Sequence, residues 1–421
     1  MPVKPGTNRA LARPRWDSED ISAASDGFAV YCHVPFCATR CVYCDFVTYT
    51  RLGHLRGLYL EALAREAEQV ATAAGHLVRA TSFYFGGGTP SLLPAKGLAD
   101  LLVRLRQLIS WDPAIEITVE VNPGDACGTW LEKARAAGVN RLSLGMQAAD
   151  DTLLAFLGRR HRHADTRRAV LLARRAGFDN LSLDLMYGIP GQGIEAWRDT
   201  VERALELEPE HLSTYALSLE PGTPLAGWVR RGLVECPDDD LAADQFEWLA
   251  ERVVQEGYVQ YEISNWAKGS VAEDGHPRYA CRHNLTYWEN RPYLGLGAGA
   301  HGFANGMRYA VCQSVRDYID RVTNRGSPTV FPLSPAVEWW EHVGAEEAAN
   351  DSLLLGLRLT TLGVRASDYQ ARHGAHAWQS RAPTLNRLAA DGLVEWVDGC
   401  QRVRLTARGR LMGNQVFREF V

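Results

Sequence analysis

No run of apolar residues in this 421-residue chain approaches the roughly 18 that a membrane-spanning helix requires, so a protein that does not span a membrane is expected. The first 27 residues, MPVKPGTNRALARPRWDSEDISAASDG, lack an apolar signal core and mix prolines with both signs of charge. They read as a flexible tail over residues 1–27, and the location expected is cytoplasmic. Basic charge is not in excess: 45 Lys and Arg against 50 Asp and Glu give a net charge of −5, which argues against a nucleic-acid partner held by phosphate neutralisation. The cysteines number nine, an odd count for a secreted disulfide framework, so persistent thiols in a reducing compartment are expected. What is present is ordinary globular material, 46% hydrophobic and 23% charged. The length suffices for about two or three domains and a core that needs no staples.

From Phe28 onward short apolar runs alternate with amphipathic segments. The strand candidates are Phe28 to Val34, Thr81 to Phe85, Ile115 to Val121, Arg141 to Gln147, Leu181 to Tyr187 and His211 to Leu219. Between them, spacings such as Leu98, Leu101, Leu102, Leu105 and Leu108 put apolar groups on one helical face, and Gly138 and Gly177 end helices. Six strand-helix units, with strands read as apolar on both faces, point to an α/β fold: a partial, six-stranded parallel β/α barrel of the TIM type over residues 28–222. Functional groups are then expected just past the C-terminal ends of the strands. An accessory sheet region follows over 223–312, including a strand at Tyr258 to Ser264, then a connector over 313–345. Residues 346–421 read as a winged-helix-like domain, with a helix ending near Gly392, two strands flanking Asp398-Gly399 and a final helix. The acidic balance favours packing or a partner over DNA reading for that domain.

The strongest motif is HVPFCATRCVYCDF, which sets Cys37, Cys41 and Cys44 at C-x3-C-x2-C directly after the first strand. Three thiolates on one loop converge on one site, and thiolates ligate iron-sulfur clusters and structural zinc. On a four-iron cube, three ligands leave one iron open for chemistry. A zinc site of Cys3His type with His33 is the competing reading, although zinc ligands commonly arrive as two C-x2-4-C pairs. Cys127, Cys236, Cys312 and Cys400 are read as buried inert thiols.

This spacing resembles the radical S-adenosylmethionine superfamily, and from Phe28 onward the chain looks like the oxygen-independent coproporphyrinogen III oxidases and their paralogues. The resemblance implies a 4Fe-4S cluster on Cys37, Cys41 and Cys44 and S-adenosylmethionine chelated at the open iron. It also implies cofactor contacts from Tyr31, Tyr43, Gly87, Gly88, Thr89, Glu120, Gln147, Arg159, Asp184 and Ala216. Among these, Gly87, Gly88 and Thr89 stand in FYFGGGTPSLL, where glycines let the backbone approach a ligand and no Gly-Lys-Ser/Thr follows to make a phosphate loop. In the family the Glu120 and Asp184 positions suit ribose hydroxyls or the amine, and the Arg159 position suits the carboxylate. A second glycine run, GLGAGAHG (Gly295 to Gly302), fits a loose dinucleotide fingerprint but is followed by turn-like sequence, so it is read as a tight backbone path near the site.

Two features separate the branches of this family. The oxidases continue the cluster loop with a further cysteine, where this chain has Asp45-Phe46. His283, Asn284, Tyr287 and Trp288 form H-N-x-x-Y-W, which resembles the branch described as heme chaperones. Imidazole can ligate heme iron and flat rings can pack on a porphyrin, while a hydrogen-bonded loop histidine among core aromatics is the alternative for these residues. The basic run Arg159 to His163 with Arg167, Arg168, Arg174 and Arg175 is read mainly as a solvated helix face. The resemblance thus implies a heme chaperone, with radical decarboxylation of coproporphyrinogen III as the alternative. Its implied partners are heme, a heme-accepting respiratory or membrane protein, an electron donor and a second copy in a homodimer, with the cluster serving redox control or dimerisation.

Overall fold

The computed structural model describes residues 27–75, 79–324 and 329–421. Apart from Gly27, the expected tail lies outside the described residues. Six parallel strands appear where the alternation placed them: β1 (Phe28–Val34), β2 (Arg79–Gly87), β3 (Ser110–Val121), β4 (Arg141–Gln147), β5 (Leu181–Tyr187) and β6 (His211–Ala216). They pair in sequence order. The helices between them include Arg56–Ala73, Ala95–Leu108, Gly128–Ala136 and His163–Arg175, and neighbouring helices pack along the outside of the sheet.

The expectation that these strands are apolar on both faces is corrected. Val30, Cys32, Phe83, Phe85, Ile117, Val119, Leu142, Leu144, Leu183 and Leu212 form the buried apolar layer beneath the helices. The alternate positions are polar and bond to one another, as Ser143 does with Asp184 and Ser182 with His211. Period two in a parallel strand thus marks a helix-covered face and a polar interior.

A seventh parallel strand, β9 (Tyr293–Leu296), pairs with β1, Ala29 opposite Tyr293 and Cys32 opposite Leu296. It comes from the glycine-rich segment, where sequence reasoning expected only a backbone path. Antiparallel strands β10 (His301–Ala304), β11 (Met307–Val311) and β12 (Val337–His342) extend that edge. At the other edge, β6 is followed by β8 (Asn265–Ala267) and β7 (Val259–Glu262), so the single strand expected at Tyr258 to Ser264 is instead the first arm of a hairpin. Among the described residues the pairings form one open row of twelve strands from β12 to β7. Residues 313–345, expected as a connector, contain the helix Val315–Asn324 and strand β12.

The C-terminal module follows the expected order. A helix at Ala375–Ala390 leads into β14 (Val394–Val397) and β15 (Arg402–Leu405), which pair antiparallel around Asp398 and Gly399, both with positive φ. The two-residue strand β13 (Val364–Arg365) completes a three-stranded wing, and two short α-helices with a 3-10 turn, rather than one helix, follow it. This module has its own core, built on Leu353, Leu357, Leu385, Val403 and Phe417.

Candidate cofactor site

At the C-terminal ends of the strands a cavity of about 420 Å³ opens onto the three-cysteine loop. Cys37, Cys41 and Cys44 line it together with Tyr43, Gly87, Gly88, Thr89, Glu120, Gln147, Arg159, Asp184 and Ala216. The structure therefore brings together every expected cofactor contact except Tyr31. That side chain lies one layer below, its hydroxyl 3.0 Å from His33 Nδ1 and its ring stacked on Tyr84. Sequence reasoning missed Tyr84, Ser143 and Tyr215, which also line the cavity. All three stand on the barrel strands, Tyr84 on β2, Ser143 on β4 and Tyr215 on β6.

The chemistry of the loop fits a cluster. Thr89 donates to Cys37 Sγ at 3.6 Å and Arg159 to Cys41 Sγ at 3.7 Å, and donors of this kind stabilise thiolate and tune cluster potential. Burial raises the Cys37 thiol and lifts Cys44 to about 11, and coordination to metal reverses that preference outright. Both ring nitrogens of His33 are engaged, Nδ1 with Tyr31 and Nε2 with the Val47 carbonyl at 2.9 Å, so His33 is not presented as a fourth zinc ligand. Among the described residues no three His, Cys, Asp or Glu side chains close around a single ion.

The walls also fit S-adenosylmethionine. A Cβ on Gly87 would come within 2.3 Å of the His33 ring, and one on Gly88 within 2.6 Å of the Val34 carbonyl, so only glycine brings the backbone this close. Gly87 also has φ +104°, and its N–H donates to Glu120 Oε2 at 3.0 Å. Tyr84 donates to the other Glu120 oxygen at 3.0 Å. Burial first and the Asp184 carboxylate second raise Glu120 to about 7. Burial likewise raises Asp184 to about 6, against the opposing pull of the Ser143 hydrogen bond and the Arg141 charge. Arg159 anchors one amino group on the Gly145 carbonyl at 2.8 Å and leaves its buried Nε–H without a partner, a donor suited to a ligand carboxylate. Gln147 holds a left-handed backbone, φ 64°, at the end of β4, the kind of strain that concentrates at binding sites.

The H-N-x-x-Y-W residues are placed elsewhere. They occupy the helix Arg282–Trp288, which packs on β2 with His283 nearly fully buried. Trp288 lies under the Arg358 guanidinium of the C-terminal module at 4.4 Å, and Asn284 is half-buried on the same helix. None of the four lines the cavity. Of the basic run, Arg160, Arg168 and Arg174 are committed to Asp125, Asp165 and Glu210, while Arg167 and Arg175 are exposed. The reading of four cysteines as buried is corrected: Cys312 is buried, whereas Cys127, Cys236 and Cys400 are exposed.

Residues 31–204 match the model of the Radical SAM superfamily and residues 343–412 that of the HemN C-terminal domain. Heme chaperone HemW of Bacillus subtilis is 35% identical over 93% of this chain and 99% of its own length. The protein of the same name from Mycobacterium tuberculosis is 37% identical over 93% of this chain and 94% of its own. The chain belongs to the HemW family. A mitochondrial relative, Radical S-adenosyl methionine domain-containing protein 1 of Bos taurus, is 38% identical over 91% of this chain and 96% of its own. Coproporphyrinogen III oxidase (HemN) from Escherichia coli shares the fold, with a TM-score of 0.78 over 96% of this chain and 93% of its own at 22% identity. The radical SAM assignment implies the cluster and S-adenosylmethionine. Among the described residues no helix is long and apolar enough to cross a membrane.

Proposed function

We propose that this chain is a heme chaperone: it carries a 4Fe-4S cluster on Cys37, Cys41 and Cys44, binds S-adenosylmethionine in the adjoining cavity and passes heme to an acceptor protein. The observation that carries this reading is the similarity, over more than nine-tenths of the chain, to proteins named heme chaperones. The 22% identity to the oxidase speaks for the fold alone. Phe46, 61% exposed, stands where the resembled oxidases have a further cysteine, which supports the same branch.

When bound, the cluster would supply single electrons and an open iron for the amino-acid end of S-adenosylmethionine. The chain's own residues do the rest. Arg159 faces a carboxylate, Glu120 and Asp184 accept from hydroxyl or amino groups, and Gly87 and Gly88 let the ligand lie against backbone. An electron donor would meet a basic surface beside the cluster loop. Arg40, Arg51 and Arg316 line a neighbouring cavity of about 480 Å³, and Arg40 donates to the Cys44 carbonyl at 3.2 Å. Cations so placed steer an acidic protein.

The deciding experiment reconstitutes the cluster anaerobically and measures heme binding and coproporphyrinogen III consumption side by side. A Soret band on adding heme, with the porphyrinogen left intact, is expected. Steady conversion of the porphyrinogen would replace the chaperone reading with the oxidase.

A further inference from the structure

The motif helix Arg282–Trp288 reaches into the polar interior of the barrel. Glu116, on β3, accepts from the backbone N–H groups of Arg282 and His283 at 3.1 Å each and lies 3.4 Å from Cys281 Sγ. Tyr261 accepts from the Cys281 N–H at 3.2 Å and bonds His211 at 2.8 Å. Thus anchored, His283 shares one hydrogen bond with Ser82 through Nδ1 at 2.9 Å and another with Tyr287 through Nε2 at 2.8 Å. Its ring stacks on Tyr84, centroids 5.1 Å apart and planes 30° from parallel, and stands edge-on to Tyr287. Neither ring nitrogen is free to bind iron, and burial together with the Arg141 charge lowers its pKa to about 3, so the ring is neutral.

Tyr84 is the link from this histidine to the cavity. Its other ring neighbour is Tyr31, and its hydroxyl holds the Glu120 oxygen opposite the one bound by Gly87 N–H. We infer that His283 is a positioning residue of the cofactor cavity, fixing Tyr84 and through it Glu120, and not a heme ligand. This inference rests on the reading of that cavity as the S-adenosylmethionine site. A ring held by two hydrogen bonds and a stack allows the phenol one orientation. Without it, Tyr84 can turn, and Glu120 loses the donor that aims it.

The test measures S-adenosylmethionine affinity by equilibrium dialysis, the Soret band on heme titration and the thermal midpoint, all on the reconstituted full chain. His283→Ala is expected to weaken S-adenosylmethionine roughly tenfold, the order of one hydrogen bond to a charged group. His283→Phe, which keeps a ring against Tyr84, should recover much of that loss, and both variants should keep the Soret band. Tyr84→Phe should weaken binding comparably, and His283→Ala added to it should cost little more, a non-additivity that general destabilisation does not produce. If His283→Ala fails to fold, His283→Phe and Tyr84→Phe with their double variant carry the same comparison. Loss of the Soret band with unchanged S-adenosylmethionine affinity would make His283 a heme ligand and overturn the inference, as would unchanged affinity in all variants. A wild-type chain that binds no S-adenosylmethionine overturns the cofactor reading and this inference together.

Discussion

Glu66 offers a quantitative check on how the site is supported. It is fully buried on the helix Arg56–Ala73, and its carboxylate accepts from Ser334 Oγ at 2.5 Å, Tyr318 Oη at 2.8 Å and the Gly297 N–H at 2.8 Å. Beside it, Tyr59 accepts from the Ala298 N–H at 2.9 Å and donates to the His33 carbonyl at 2.8 Å. Next along the same turn, a Cβ on Gly299 would come within 2.8 Å of Val47, whose carbonyl bonds His33. Truncation by Glu66→Ala strands three donors, at about 1–3 kcal/mol each, and opens a void. Removing a carboxylate that burial already disfavours returns part of this, leaving a net loss of about 3–5 kcal/mol. Glu66→Gln keeps the shape, and its amide can donate to one of the two hydroxyls, so about 1 kcal/mol is expected. Urea unfolding with an unchanged slope would report both values. Iron incorporation should fall in the alanine variant and hold in the glutamine variant. Equal losses in the two variants, or an alanine loss under about 1 kcal/mol, would refute the account.

Replacing any of Cys37, Cys41 or Cys44 with serine should abolish the cluster's visible absorbance while far-ultraviolet circular dichroism stays unchanged. S-adenosylmethionine affinity should rise as pH climbs through about 6 to 7, because Asp184 and Glu120 accept hydrogen bonds in their ionised forms; a flat profile in isothermal titration would count against their assigned roles. The sign for the empty chain is opposite. Both folded-state values lie above the unfolded ones, so the stability they confer is fully present below about pH 4 and lost as pH rises through 6 to 7, which unfolding at several pH values would register. Arg358→Ala removes the cation between Trp288 and Phe417 and leaves the buried Glu262 carboxylate, 3.7 Å away, without its ion-pair partner and held only through its other oxygen by Ser264 N–H and the Asn265 amide. A loss of about 3–5 kcal/mol and faster proteolysis at the C-terminal module are expected.

The fold was legible because period two and helical spacing report which residues meet a core. They placed all six barrel strands and the wing hairpin. β9 escaped because the four residues Tyr293–Leu296 are too few to carry a pattern, and what holds them is pairing with the distant β1 on one side and with β10 on the other. The cavity was legible because its residues stand at strand ends. Tyr84 was not, since a tyrosine in an apolar strand looks like core until its hydroxyl partner is seen. The buried state of His283 depends on Glu116, 167 positions earlier in the chain, and no local pattern records that contact.

The pairing of β1 with β9 has a consequence for how the protein is made. Ala29 and Tyr293 are neighbours in the sheet yet 264 positions apart in the chain. Contacts of such separation form late, after the intervening chain has ordered. The turn after β9 also backs the cluster loop through Val47. A ribosome-bound chain that has already released Cys37, Cys41 and Cys44 therefore lacks the strand that shapes their loop until Leu296 has emerged, more than 250 residues later. Cluster delivery then belongs to the finished chain, and truncation before Tyr293 should yield a protein that cannot hold iron even with all three thiols present.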